Sequence, residues 1–454
     1  MIVILVYVAL QLGIGYWVSK RVATEADYLV AGRSLGFGLT MFSVFATWFG
    51  AETCIGSAAE ARDSGMSGVI SDPFGYAICM FLFGLLLAAP LWRKKLITLA
   101  DLYRSRFAPG VERLAALLMI PTSVLWAAAQ VRAFGIVLTS SSSVEIEVAI
   151  SIAAAIVVLY SMMGGVLADA FTDVIQGSVL IVGLVILGVA VFMQPTAGTH
   201  LAEFGAAFFA SDTPPSWLMR METWAIPIVG SLVAQELVVR AVSARSEGVA
   251  RKATLIASGI YFVVGLIPVL IGIVSLGLMP ELPNGEQVLP AMAHQYLPRV
   301  LAVVFVGALV SAILSTVDSA LLVAGALLSH NLVTPMLRHP DEKTKLLMAR
   351  LAVALFGVLA YVLALYADTV YGLVEEASAF GSSGIVVVTL MGLFSRYGSA
   401  LNAYAALFAG LSVYVVADWQ GLETPFVLSL VSAWVAYLLP GRGRKRMESE
   451  ETGV

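Results

Sequence analysis

The segment 306–322 carries oxygen-bearing side chains within an otherwise apolar run. Four of them recur at intervals that place them on one stripe of a helix: Ser311, Ser315, Asp318 and Ser319. Thr316 flanks this stripe. Hydroxyls, backbone carbonyls and a carboxylate are the ligands that a small hard cation prefers. Serines alone are more often bonded to their own helix or to a neighbouring one, but Asp318 needs a partner, so the stripe favours an ion site.

A second acidic residue, Asp173, follows Thr172 at the predicted start of another apolar segment. One interpretation is an interfacial helix cap, in which Thr172 or Asp173 accepts hydrogen bonds from the free N–H groups of the first turn. The other is a cation ligand. We expect Asp169 to be a solvated residue at the same interface.

The segment 42–61 has polar and small residues inside what is otherwise a membrane helix: Gly50, Glu52, Thr53, Gly56 and Ser57. A carboxylate in such a helix is costly unless it faces protein or water. A polar, glycine-weakened centre is typical of a discontinuous helix, whose freed carbonyls can coordinate a cation. The alternative is that the glycines only let neighbouring helices pack closely.

Arg132 lies in the middle of an apolar segment, two positions after Gln130. An arginine at membrane depth is either paired or functional. Pairing with Glu52 or Glu236 is one interpretation, and binding a carboxylate of the substrate is the other. The sequence favours neither.

Trp48 and Trp126 belong to segments with polar interruptions and lie deeper than the membrane interface, where tryptophan is usually enriched. They either pack in the core or line a solute pocket. Two tryptophan faces would suit a cation through cation–π attraction.

The composition identifies the kind of element that must position these residues. Of 454 residues, 59% are hydrophobic and only 12% are charged, whereas about a quarter are charged in a typical globular domain. This indicates a polytopic membrane protein without a sizeable soluble domain, and the net charge of −4 implies no nucleic-acid partner. Two cysteines in apolar stretches and four scattered histidines argue against a disulfide scaffold, a zinc site or a histidine-based enzyme.

Hydropathy over windows of about 19 residues predicts thirteen membrane spans. Numbered in chain order, they are 2–18, 37–56, 70–92, 111–138, 146–163, 173–193, 222–240, 253–277, 298–330, 348–367, 371–393, 399–417 and 424–440. Lys20 and Arg21 follow span 1 instead of preceding it, so we expect a retained helix and not a cleaved signal peptide.

The basic residues give the orientation, because short cytoplasmic loops hold most Lys and Arg. Basic residues follow spans 1, 3, 7, 9, 11 and 13, whereas the predicted loop after span 5, 164–172, has none. We therefore expect an external N-terminus and a cytoplasmic C-terminus in the plasma or inner membrane.

Several segments, taken in order, resemble the sodium:solute symporter family. They are 27–36 (DYLVAGRSLG), 46–61 (ATWFGAETCIGSAAEA), 164–177 (GG and TDVIQG), 311–319 (SAILSTVDS) and 374–384 (VEEASAFGSSG). No single motif is decisive, but the ordered combination covers nearly the whole chain and is very specific.

This resemblance implies an all-α polytopic fold of the LeuT type, built from two inverted repeats of five helices. The first and sixth core helices, here spans 2 and 7, would be broken at the midplane, where solute and ion meet. The implied organisation is an extra N-terminal helix and linker at 1–36, repeats at 37–195 and 196–395, two peripheral helices at 396–440 and a cytoplasmic tail at 441–454.

The resemblance also implies sodium as the coupling ion. The site shared across the family would use the carbonyls of Ala46, Phe49 and Ala312 and the hydroxyls of Ser315 and Thr316. In members with a second sodium, that ion would lie on Asp173, Asp318 and Ser319, with help from Ser315. Asp318 stands where several members have serine, so a second sodium or a proton would fit there.

Within the family the pattern is most similar to the high-affinity choline transporter branch, at Trp48, at Trp126 and at the end of span 9. That branch has a tryptophan where this chain has Ala234, and Arg132 adds a positive charge. Both differences weaken the case for choline as the solute. They slightly favour an amino-acid-like or carboxylate solute over a quaternary ammonium. The expected solute residues are Trp48, Glu52, Thr53, Trp126, Gln130, Arg132, Ala234 and Gln235.

The sequence as a whole predicts a secondary active transporter that couples sodium to a small organic solute by alternating access. A sensor that keeps the fold but no longer transports is the alternative, and no arrangement typical of an enzyme is visible. We expect the lipid bilayer and the solute as partners, no nucleic acid, and a monomer or a loose homo-oligomer.

Overall fold

The computed structural model describes residues 13, 22–65, 68–140, 144–202, 216–338 and 340–439. Apart from Gly13, predicted span 1 lies outside the described residues, as does the tail 441–454. Within these ranges the long elements are helices, joined by short turns.

Eight described helices are long and apolar enough to cross a membrane: Ile70–Arg93, Pro109–Ser140, Gly165–Phe192, Trp217–Val242, Glu247–Leu278, Arg299–Met336, Glu342–Tyr366 and Ala400–Trp419. The bent pair Val370–Ala379 and Ser382–Phe394 makes a ninth if taken as one span. The shorter apolar helices Phe37–Trp48, Ile146–Leu159 and Pro425–Leu438 match predicted spans 2, 5 and 13. The total of thirteen stays a prediction.

Short helices that were not predicted include Glu25–Val30, Ala100–Arg106 and Val288–Tyr296. Each is too short for a hydropathy window. The first begins with a capping box in which Thr24 and Asp27 satisfy each other's backbone N–H groups.

Span 2 is broken, as predicted. Its first helix ends at Trp48, and Phe49 has non-helical angles of φ −84° and ψ 65°. The chain becomes helical again from Glu52 to Asp63. Gly50 is needed at the break, because a Cβ there would lie 2.5 Å from the Thr316 hydroxyl oxygen and 2.8 Å from Gln130 Oε1. Close approach of span 9 therefore requires a glycine.

Span 7 is broken as well. Helical structure runs from Trp217 to Gly230 and resumes at Gln235–Val242. The gap between Gly230 and Gln235 faces span 11, since a Cβ on Gly230 would lie 2.3 Å from the carbonyl oxygen of Ser378.

The predicted loop at 164–172 is wrong. Gly165 has φ 69° and ψ 169° and interrupts the helix at this one residue, so the sixth span begins at Gly165 and not at 173. The Tyr28 backbone packs against this glycine, with its carbonyl oxygen 2.9 Å from a Cβ built there. Asp169 and Asp173 consequently lie inside the helix.

Span 9 carries the stripe and is deeply enclosed by protein. Every residue from Phe305 to Ala326 is buried. Its contacts are mainly with the helices of spans 4, 5 and 6, so the stripe faces protein on all sides.

Candidate functional site

The first predicted sodium ligands meet where span 9 passes the break in span 2. The Thr316 hydroxyl oxygen lies 3.1 Å from the carbonyl oxygen of Ala46 and 3.2 Å from that of Ala312. Phe49 is the first residue beyond the helix, and the last carbonyls of a helix lack intrahelical partners. Carbonyl and hydroxyl oxygens that suit a sodium ion are thus placed together.

Ser315, the remaining predicted ligand of this site, donates its hydroxyl to Asp173. The other oxygen of this carboxylate accepts a hydrogen bond from Ser43, at 2.6 Å. Asp173 is fully buried and lies two turns inside its helix, so the interpretation as an interfacial cap is wrong. Thr172 does not cap either, because its hydroxyl donates within its own helix to the carbonyls of Ala168 and Asp169.

Asp318 is fully buried. Its two carboxylate oxygens make no hydrogen bond of good geometry with the described residues, and the Ser161 hydroxyl is the polar side chain that interacts with it. Asp318 lies within electrostatic range of Asp169 and Asp173. An orphaned carboxylate in this position fits a cation ligand, because an unpaired buried charge is costly.

Arg240, which the sequence reasoning missed, lies among these acids. Its guanidinium contacts Asp169 and Ser319, and its Nε donates to the Thr47 hydroxyl at 2.8 Å. Asp169 is fully buried, so the expectation of a solvated residue is wrong. Ser319, predicted as a sodium ligand, also donates to Asp169 at 3.0 Å.

We call Asp169, Asp173, Asp318 and Arg240 the acid cluster. Three carboxylates against one guanidinium leave an excess of negative charge when all are ionised. A small cavity, of about 10 Å³, borders the cluster at Arg240 and Ser319. The cluster can therefore accept a further cation, either sodium or a proton.

A larger cavity, of about 30 Å³, lies between span 4, the gap in span 7 and span 11. Three predicted solute residues line it: Trp126, Ala234 and Gln235. Trp48 packs edge-to-face on Trp126, with ring centroids 5.1 Å apart, and on Tyr76, at 5.2 Å. We call this space the solute cavity.

Three other predicted solute residues, Gln130, Thr53 and Glu52, adjoin the break in span 2. Gln130 Oε1 accepts a hydrogen bond from the Ala51 N–H at 2.8 Å, so it satisfies a backbone group that the break leaves free. Thr53 donates to Asp72 at 2.6 Å. Glu52 is buried, and its Oε1 has no partner within the described ranges.

Arg132 lies apart from the solute cavity. Its guanidinium donates to the carbonyl oxygen of Asp368 at 2.6 Å, in the turn before span 11. The expectation of a carboxylate solute depended on Arg132 and loses this support. The ion pair expected with Glu52 or Glu236 does not form in the described structure.

Glu236 is a second residue that sequence reasoning did not place at the site. It lines the solute cavity, and its Oε1 accepts a hydrogen bond from the Ser123 hydroxyl at 2.6 Å. An acid at the start of the second half of a broken helix was the available signal, but the sequence could not give the direction of its side chain.

Comparisons with known proteins identify related transporters. The high-affinity choline transporter 1 of Caenorhabditis elegans is 26% identical over 411 residues, which cover 82% of this chain and 69% of that protein. The high-affinity proline transporter PutP of Bacillus subtilis (strain 168) is 23% identical over 445 residues, which cover 94% and 93%. These relatives are transporters and not enzymes.

The structure of a Na+-coupled sialic acid symporter in a substrate-bound, outward-open state matches with a TM-score of 0.80 at 20% identity, over 96% of this chain and 95% of that one. This likeness shows the fold, which is of the LeuT type. The family model of the sodium:solute symporters matches residues 28–412, and the chain therefore belongs to the sodium:solute symporter family.

Proposed function

We propose that the protein couples the downhill entry of sodium to the uptake of a small organic solute by alternating access. The observation that carries this proposal is the contact between Thr316 of span 9 and the freed carbonyl of Ala46 in span 2. A sodium ion held there by Ala46, Phe49, Ala312, Ser315 and Thr316 joins the two spans. Ion binding then orders the break, which adjoins the solute cavity through Trp48 and Trp126.

The acid cluster supports a second cation in the same cycle. Its ligands are Asp173, Asp318 and Ser319, and the orphaned oxygens of Asp318 are the strongest argument for it. Sodium and a proton are both compatible with these oxygens. The two ions are distinguished by whether the Hill slope for sodium exceeds one.

The proposed location is the plasma or inner membrane. The proposed orientation has the N-terminus outside the cell and the C-terminus in the cytoplasm. Arg93, Arg245 and Arg396 then lie on the cytoplasmic side, as the distribution of basic residues requires.

The test is uptake into proteoliposomes that contain the purified full chain. Radiolabelled choline, proline and a primary amine are each offered with an inward gradient of sodium or of potassium. We expect uptake of at least one class with sodium only. Equal uptake in potassium, or binding without accumulation as in a sensor, contradicts the proposal.

A further inference from the structure

Glu236 lies in the first turn of Gln235–Val242, directly after the gap in span 7. The carboxylate is 4% exposed and faces the solute cavity. Ser123 of span 4 holds one of its oxygens at 2.6 Å. The carboxylate of Glu236 is thus held in the wall of the cavity by its own helix in span 7 and by Ser123 in span 4.

The basic residues nearest to this carboxylate are engaged elsewhere. Arg240, one turn further along the same helix, lies within electrostatic range of Glu236, but its hydrogen bonds go to Asp169, Ser319 and Thr47. The residues that line the solute cavity include no Arg, Lys or His, and the ion pairs found in the described ranges do not include Glu236. A hydroxyl and a helix N-terminus compensate a buried carboxylate only in part, so a cation is favoured in the cavity.

The surroundings of Glu236 distinguish between kinds of cation. Ser231, Ser378 and Ser382 line the same cavity, and their hydroxyl oxygens can accept hydrogen bonds from an N–H donor. A quaternary ammonium has no such donor and is recognised by open aromatic faces. Trp48 is 2% exposed and packs against Tyr76 and Trp126, so Trp126 is the one tryptophan in the described lining of the cavity, and a box of several aromatic faces is not formed there.

We infer that the transported solute carries a protonated amine and that Glu236 is the residue that binds this ammonium group. The inference rests on the proposed function, since it assigns the solute of the same cavity. Ser123 acts as a positioning residue, because it holds the carboxylate toward the cavity. A primary or secondary amine is preferred to choline, and a solute with only a carboxylate is excluded by repulsion from Glu236.

The test is thermal-shift binding with the purified full chain in sodium chloride and in potassium chloride. The probes are ethanolamine, propylamine, proline, choline and pantothenate. We expect an amine to stabilise the wild type in sodium, choline to bind at least tenfold more weakly, and pantothenate to give no shift.

Glu236→Gln should weaken binding of that amine at least tenfold, and Glu236→Asp, which keeps the charge, should retain most of it. Glu281→Gln is the matched control, since it removes one carboxylate from an exposed turn. In all three variants the shift caused by sodium alone should persist, which shows that the protein is folded and that its sodium site is intact.

Two results would overturn the inference while leaving the proposed function in place. One is sodium-dependent binding of pantothenate or choline with no binding of any amine. The other is amine binding that Glu236→Gln leaves unchanged. If sodium and potassium have the same effect on the wild type with every probe, the proposed function itself fails.

Discussion

The hydroxyl oxygen of Thr316 lies 3.1 Å from the carbonyl oxygen of Ala46. These residues are far apart in the chain, and their contact joins the enclosed helix of span 9 to the broken helix of span 2. The alanine carbonyl is available because its helix ends at Trp48. A cation bound by both oxygens, with the hydroxyl proton turned away from it, would therefore stabilise one arrangement of span 2.

Thr316→Ala should raise the sodium concentration for half-maximal uptake about tenfold, since the loss of one oxygen ligand is worth about 1.4 kcal/mol. Ser315→Ala should act in the same direction. Thr316→Ser keeps the hydroxyl and is the matched control. Sodium-dependent uptake in proteoliposomes measures the effect, and an unchanged sodium requirement in both alanine variants would show that the ion binds elsewhere.

Asp173→Asn should lower the Hill slope for sodium to one if a second sodium is carried. The asparagine keeps one accepting oxygen, enough for the hydroxyl of either Ser43 or Ser315, but removes the charge that a cation needs. Sodium titrations of initial uptake rates give the slope. Ser43→Ala removes one hydrogen bond and leaves the charge, so a similar loss in both variants would point to structure instead of charge.

Arg240→Gln should destabilise the protein by about 3–5 kcal/mol, because it leaves buried carboxylates without their guanidinium partner. The double variant Arg240→Gln with Asp169→Asn removes both members of the ion pair and should recover much of the loss. Thermal unfolding in the same detergent compares the two. If the double variant is no more stable than the single one, the pairing of Arg240 with Asp169 is not what stabilises this region.

Arg132→Gln should leave solute affinity within about threefold, a difference of well under 1.4 kcal/mol, because its guanidinium contacts the Asp368 carbonyl and not the solute cavity. Trp126→Leu removes an aromatic wall of that cavity and should weaken binding about tenfold or more. Competition for uptake of the same labelled solute compares the two. If Arg132→Gln weakens solute binding more than Trp126→Leu does, Arg132 belongs to the solute site.

Local pattern was sufficient for the stripe, whereas for the break in span 2 it left close helix packing as an alternative, and the family resemblance favoured the break. The interval between Ser315 and Ser319 specifies one face of a helix, and Gly50 with Glu52 marks a weak point within a membrane segment. The contact between the stripe and the break was predicted only through the family resemblance, because periodicity within one segment contains no information about its neighbours.

The errors have physical causes. Asp169 and Arg240 are 71 positions apart, and nothing local in either segment indicates that they pair. Gly165 starts its helix before the apolar run does, so hydropathy placed both aspartates too close to the interface. Arg132 belongs to a helix of 32 residues, about 48 Å long, which is longer than the hydrocarbon core of about 30 Å, so the position of Arg132 within the apolar segment did not determine its depth.

The guanidinium of Arg240 is a cation that cannot dissociate. A carrier that releases its cargo has to return to its starting conformation without it, and bare carboxylates in a buried site would make that step costly. Arg240 keeps one positive charge beside Asp169 and Ser319 at every stage. The return of the empty carrier would therefore begin from an interior that is already partly neutralised, which lowers the electrostatic cost of that step.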